Sequence, residues 1–186
     1  MHGIAGIERR MKKFIVALVA VAMVAALAWA QEFRKDAPAP ASAPGVVTLP
    51  ASAAVVTAPM VLKDGALTQA EHEDLTLAAG GKAVFDFRVA TAGTYAIHAV
   101  VNAPTDLANS FFVNIDAPPQ DPLSVWDIEP TSGFEERIVS WRGSGDAENN
   151  EFKPKHFKLT AGAHQLIVIG REASFLKSVS IRRVAD

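Results

Sequence analysis

The stretch KAVFDFRVATAGTYAIHAVV, residues 82–101, decides the fold class. Apolar and polar side chains alternate along 82–90, where one side carries Phe85, Phe87 and Val89. A second alternation follows along 94–101, where one face carries Tyr95, Ile97, Ala99 and Val101. A period of two is typical of a half-buried strand, and the intervening Ala92-Gly93 is typical of a turn. The stretch therefore predicts two β-strands joined by a turn.

Working outward, the same pattern predicts further short strands. They are SFFVNID (110–116), FEERIVSW (134–141), HFKLT (156–160), HQLIVIG (164–170) and FLKSVSIRRV (175–184). Turns rich in Gly, Pro and Asp separate them, as in an antiparallel sandwich or barrel. Only LTQAEHEDL (67–75) favours a helical turn or two. We predict an all-β domain over residues 54–186.

The N-terminal 30 residues differ from the rest. Four basic residues precede an uncharged apolar run over 14–30 that ends in Ala28-Trp29-Ala30. This arrangement is typical of a secretory signal peptide cleaved after Ala30. An uncleaved membrane anchor is the alternative, although the run is short for a span of about 20 apolar residues. We expect an exported protein, whether periplasmic, cell-surface or secreted.

Residues 31–53 are predicted to form a linker. The segment DAPAPASAPGVVTLPASA (36–53) is rich in Pro, Ala and Ser, which favours an extended tether. The alternative is that Val46 to Leu49 adds an edge strand, which the β-branched residues of this segment permit.

Charge and cysteine content exclude several classes of protein. The net charge is −2, and loss of residues 1–30 would make it about −5. Such a balance argues against a nucleic-acid partner. The chain has no cysteine, which excludes a disulfide scaffold, a thiolate metal site and a Cys nucleophile.

Three segments resemble a known family. GTYAIHAVVNAP (93–104), SFFVNID (110–116) and HFKLTAGAHQLIVIGRE (156–172) are similar to the galactose-binding-like β-jelly-roll domains found as carbohydrate-binding modules of exported bacterial proteins. The resemblance covers about residues 55–186 and implies an antiparallel jelly-roll sandwich that binds a glycan.

The resemblance also allows a structural calcium ion, held by acidic residues in the first strand and before the last. Here AVVTAPMVL (54–62) has no acid, and Lys177 stands where the family has Asp. Because calcium needs carboxylate ligands, we expect no cofactor. His72, His98, His156 and His164 show no short spacing typical of zinc.

Other residues of the resemblance are interpreted as structural. His164 begins a strand on the side of Leu166 and is predicted to be partly buried and hydrogen-bonded. Tyr95 is predicted to be a core aromatic whose hydroxyl meets a backbone partner. Arg171 and Glu172 are predicted to form an ion pair.

Glycan binding requires aromatic surface next to polar side chains. Trp126 and Trp141 both adjoin polar loops, so the candidate ligand-binding residues are Trp126, Asp127, Trp141, Arg142 and Asn150. The alternative is that either Trp packs in the core, as is usual for Trp in a sandwich strand.

Catalysis is not expected. Adjacent acids such as Glu135 and Glu136 point to opposite faces of a strand, and no G-x-S-x-G motif occurs. The function predicted is an exported, non-catalytic carbohydrate-binding domain whose partner is a glycan or an envelope component. The alternative is a structural or protein-interaction subunit tethered at the cell envelope, with membrane contact only through an uncleaved N-terminal segment.

Overall fold

Alternating hydrophobicity produces the central strands of the fold, as predicted. In the strand Lys82–Val89, the side chains of Phe85, Phe87 and Val89 are buried while Asp86 and Arg88 are exposed. The computed structural model describes residues 45–70, 76–140 and 153–184. The chain divides into two units, Met1–Ala39 and Pro40–Asp186, and the described residues belong to the second.

The described residues form twelve strands and one turn of 3-10 helix, Ala51–Ala53. In chain order the strands are β1 (Val46–Pro50), β2 (Val55–Thr57), β3 (Val61–Lys63), β4 (Ala66–Thr68), β5 (Lys82–Val89), β6 (Gly93–Asn102), β7 (Ser110–Ile115), β8 (Val125–Asp127), β9 (Glu135–Ile138), β10 (His156–Leu159), β11 (Gly162–Gly170) and β12 (Phe175–Arg183).

Two antiparallel sheets share these strands. The first has the order β10-β6-β12-β4-β3, with β9 also paired to β6 and β1 also paired to β12. The second has the order β2-β5-β11-β7-β8. The predicted all-β antiparallel sandwich is confirmed.

The core lies between the sheets. The first sheet contributes Ile97 and Val179, and the second contributes Phe85 and Val168, all almost fully buried. The residues that alternate with these buried ones along each strand face away from the core, because successive side chains of a strand point to opposite faces. These outward positions carry the side chains that the sheets present to solvent.

The predicted linker is wrong at its C-terminal end. Val46–Pro50 pairs with β12, and both Leu49 and Ala51 are buried in the core. The β-branched residues 46–48 favour a strand in spite of the neighbouring prolines, so the alternative edge strand is the correct interpretation. Residues 31–44 lie outside the described residues.

Two other predictions concern helices. The helical turn predicted over 67–75 is wrong for Leu67 and Thr68, which belong to β4, and residues 71–75 are not among those described. The predicted signal peptide, residues 1–30, is likewise outside the described ranges. Within those ranges, no helix is long and apolar enough to cross a membrane.

Candidate functional site

Trp126 belongs to the core rather than to a ligand surface. It is 2% exposed, and its ring lies 6.3 Å from that of Phe111, its neighbour across the β7–β8 pair. A side chain this buried has no free ring face for a sugar. The prediction that Trp126 contacts a ligand is wrong, and the core alternative is correct.

The other predicted site residues are placed only in part. Asp127 ends β8, pairs in register with Ser110 and is half-buried. Trp141, Arg142 and Asn150 lie outside the described residues, so their role stays a prediction.

The segment that carries those three residues begins and ends at one edge of the sandwich. Ser140 and Pro154, on either side of it, form an isolated bridge. The buried Lys155 that follows donates from Nζ to the Val113 carbonyl of β7 at 3.2 Å, and burial lowers the pKa of this lysine. The base of the segment therefore adjoins β7, the strand that pairs with β8.

A groove of about 480 Å³ opens at one end of the sandwich. Strands β3 and β4, the loop after β6 and the turn before β12 form its walls. Its lining is mostly apolar and consists of Val61, Lys63, Thr68, Gln69, Ala70, Pro104, Thr105, Ala108, Ala173 and Phe175.

An aromatic side chain stands where this groove meets the outer face of the first sheet. Phe175 lines the groove, is half-buried and pairs in register with Asn102. Because Val101 points into the core, Asn102 and its partner Phe175 face outward.

A second aromatic immediately precedes β9, the strand that pairs with β6 on the side away from β12. The pairing of β9 with β6 ends at Glu135 and Val101, and the same register continued by one residue would bring Phe134 opposite Asn102. Phe134 is 43% exposed, and Lys177 Nζ of β12 lies 5.3 Å from its ring centroid. We call Phe134, Asn102 and Phe175 the aromatic row.

A buried ion pair lies beside the groove. Arg171 and Glu172 are 7% and 4% exposed, and Arg171 Nη1 lies 2.8 Å from Glu172 Oε1. The predicted pairing of these residues is confirmed. Glu172 Oε2 also accepts a hydrogen bond from the Asn109 backbone N–H at 2.8 Å, just after the loop that forms one groove wall.

The buried amide of Gln69 forms part of the groove lining. Its Oε1 accepts a hydrogen bond from the Gly81 N–H at 3.1 Å. The amide also lies against Gly170, where a Cβ would come within 2.1 Å of Oε1. Gly170 thus leaves room for this side chain in the groove lining.

The opposite end of the sandwich holds the predicted structural histidine. His164 is 8% exposed, with Nδ1 2.6 Å from Asp116 Oδ2 and Nε2 2.8 Å from the Thr160 carbonyl. Burial lowers the pKa of His164, but the hydrogen bonds to Asp116 and Thr160 outweigh it, and the net pKa is raised above 6.5. The predicted burial and hydrogen bonding are confirmed.

Tyr95 lies at the same end and is also as predicted. Its ring is in the core, and its hydroxyl donates to the Thr91 carbonyl at 2.6 Å. As for metals, the described part of the chain contains no cluster of three or more His, Asp or Glu side chains.

Sequence reasoning missed both phenylalanines of the aromatic row. They were assigned only to strand segments, although Phe134 has the same parity as the exposed Glu136. Residues two positions apart in a strand face the same side, so the polar Glu136 would have indicated that Phe134 also faces outward. The pairing of Phe175 with Asn102, in contrast, depends on contacts between distant strands.

The fold is shared with solved carbohydrate-binding domains. A family 35 carbohydrate-binding module from Clostridium thermocellum matches 77% of this chain and 100% of its own at 11% identity, with a TM-score of 0.51. The C-terminal family 6 module of a laminarinase from Zobellia galactanivorans matches 74% of this chain and 99% of its own at 11% identity, also with a TM-score of 0.51.

A larger protein shares the fold as well. A β-1,4-mannanase from Podospora anserina that includes a family 35 module matches 77% of this chain at 15% identity, with a TM-score of 0.54. This chain covers 29% of that protein's length. No protein-family model and no curated protein sequence matches the chain. The predicted galactose-binding-like jelly-roll fold agrees with these structural neighbours.

Proposed function

We propose that this domain is a non-catalytic glycan-binding module whose sugar site is the aromatic row and the adjoining groove. The observation that carries the proposal is the outward-facing Phe175, paired with Asn102 at the groove, together with the exposed Phe134, whose ring lies 5.3 Å from Lys177 Nζ of β12. Structural likeness to carbohydrate-binding modules of families 35 and 6 supports it.

The chemistry of the row suits a sugar ring. The C–H faces of a pyranose pack on aromatic rings, while its hydroxyls need hydrogen-bonding partners. Asn102 supplies an amide beside Phe175, and Lys177 supplies an ammonium beside Phe134. The Thr105 hydroxyl in the groove wall adds a further donor and acceptor.

The carboxylates nearest the row are suited to structural rather than catalytic work. A hydrogen bond from the Ser132 N–H, together with Arg137, lowers the pKa of Glu135. Arg182, with His98, lowers the pKa of Glu136. A glycosidase acid needs a raised pKa, so neither carboxyl is a good general acid.

Trp141, Arg142 and Asn150, which lie outside the described residues, remain proposed ligand-binding residues. Export is proposed on the basis of the signal-like residues 1–30.

The test is a titration of soluble glycans against the domain and three variants. Phe134→Ala should weaken binding about two- to twelvefold, because an aromatic contact contributes about 0.5–1.5 kcal/mol. Leu123→Ala, which alters an exposed apolar side chain elsewhere, is the matched control and should bind as the wild type does.

Trp141→Ala, the third variant, measures the contribution of Trp141 to binding. Failure of the wild-type domain to bind any glycan would reject the proposal. Self-association in place of glycan binding would support the structural-subunit alternative.

A further inference from the structure

The burial of the Arg171–Glu172 pair calls for a physical explanation. Both charged side chains are almost fully removed from water at the turn between β11 and β12. Desolvating two ions costs so much that apolar residues of similar volume often give equal or greater stability. The burial of this pair is therefore weak evidence of a gain in fold stability, and its hydrogen-bond partners indicate what else it does.

The pair holds one particular backbone group beside the groove. Glu172 uses Oε1 to accept from Arg171 and Oε2 to accept from the Asn109 N–H, each at 2.8 Å. Arg171 Nη1 also donates to Ser110 Oγ at 2.8 Å. The ion pair is thus bonded to two consecutive residues at the start of β7.

Asn109 is fixed from its other side as well. Its Nδ2 donates to the Ile128 carbonyl at 2.9 Å, and its own carbonyl accepts from the Ile128 N–H at 2.8 Å. The wall residues Pro104, Thr105 and Ala108 immediately precede it in the chain. Fixing Asn109 therefore fixes the end of that wall.

We propose that Glu172 is a positioning residue for the glycan site, acting through the Asn109 N–H to hold the 104–108 wall of the groove. The inference rests on the proposed function. Arg171 neutralises the buried carboxylate, and Glu172 supplies the acceptor. Without that acceptor the half-buried N–H loses its partner, which favours movement of the loop toward water.

Two double variants separate positioning from stability. Arg171→Met with Glu172→Leu removes both charges and the acceptor, whereas Arg171→Met with Glu172→Gln removes both charges but keeps an acceptor oxygen. The loss of the contact to Ser110 is common to both, so the pair differs chiefly at the acceptor.

Amide hydrogen exchange and glycan titration are the readouts. The backbone amide hydrogen of Asn109 should exchange at least about tenfold faster in the Leu double variant than in the Gln double variant. Glycan binding should be about three- to tenfold weaker in the Leu double variant, with similar urea midpoints. The Gln double variant, which keeps the acceptor oxygen, should recover both the slow exchange at Asn109 and the glycan affinity.

Equal exchange and equal binding in the two double variants would overturn the inference and leave the pair with a merely structural role. If the Leu double variant does not fold, Glu172→Asp serves in its place. It keeps the charge next to Arg171 but withdraws the acceptor by one methylene, so faster exchange at Asn109 and weaker binding are expected, and wild-type values would overturn the inference.

The two proposals can fail separately. If no glycan binds the wild type, the proposed function fails, and the positioning of a glycan site fails with it. If the wild type binds a glycan but the Leu and Gln double variants bind equally, only the positioning role fails.

Discussion

Replacing Trp126 by alanine should destabilise the fold and leave the binding site intact. The indole is 2% exposed and packs on Phe111 with ring centroids 6.3 Å apart. A buried aromatic removes about 200 Å² from water, worth about 5 kcal/mol at 25 cal/mol per Å². Measured truncations of buried Phe and Trp cost about 3–5 kcal/mol. We expect a loss of about 3–5 kcal/mol, a large part of the total stability of about 5–15 kcal/mol of a typical domain.

Urea unfolding followed by circular dichroism measures this loss, and glycan titration of the folded variant measures binding. Phe134→Ala is the matched comparison, because Phe134 is 43% exposed. That variant should lose less than about 1 kcal/mol of stability but bind glycan more weakly. The reasoning is refuted if Trp126→Ala keeps wild-type stability while losing glycan affinity.

Two further predictions concern stability. Because the folded-state pKa of His164 is raised above 6.5, the contribution of its hydrogen bonds to Asp116 and Thr160 is complete below about pH 6.5 and is lost as the pH rises through the raised value. Urea midpoints at stepped pH should fall over that range, and Asp116→Asn should flatten the profile; an unchanged profile in this variant would contradict the assignment. Gly170→Ala should cost about 1–3 kcal/mol, since its Cβ would meet the buried Gln69 amide at 2.1 Å. Adding Gln69→Ala should recover part of that loss in a double-mutant cycle, whereas strict additivity would show that the clash is absent.

The sequence was sufficient to predict those features that depend on local alternation. Strands β5, β6 and β11 follow a period of two, and the inward parity of Tyr95 in β6 and of His164 in β11 agrees with it. Arg171 and Glu172 are adjacent in the chain, so their pairing needed no long-range information. In each case the determining residues lie within a few positions of one another.

Features that depend on distant partners were not predictable in the same way. Trp126 occupies a three-residue strand next to the buried Val125, so no alternation shows which side of it faces the core. β1 lies in a Pro- and Ala-rich segment, and its assignment as a strand depends on pairing with β12 near the other end of the chain. Tertiary contacts thus outweighed local composition at both places.

The aromatic row depends on β6 as the common partner of β9 and β12. Phe134 and Phe175 lie 41 positions apart in the sequence. Phe175 meets Asn102 through the long-range register of β12 with β6, and Phe134 precedes β9, whose long-range pairing with β6 ends at Val101. A shift of one residue in either pairing would turn a phenylalanine of the row toward the opposite face.

The β12 register shifts between Leu176 and Ser178, which leaves Lys177 as the extra residue of a bulge. The bulge lets Phe175 face outward while Val179 and Ile181, beyond it, still face the core. It also directs Lys177 over the ring of Phe134. Because a bulge redirects the side chains around it, the consecutive polar residues Lys177 and Ser178, between the apolar Leu176 and Val179, mark in the sequence the place where the facing of Phe175 is set.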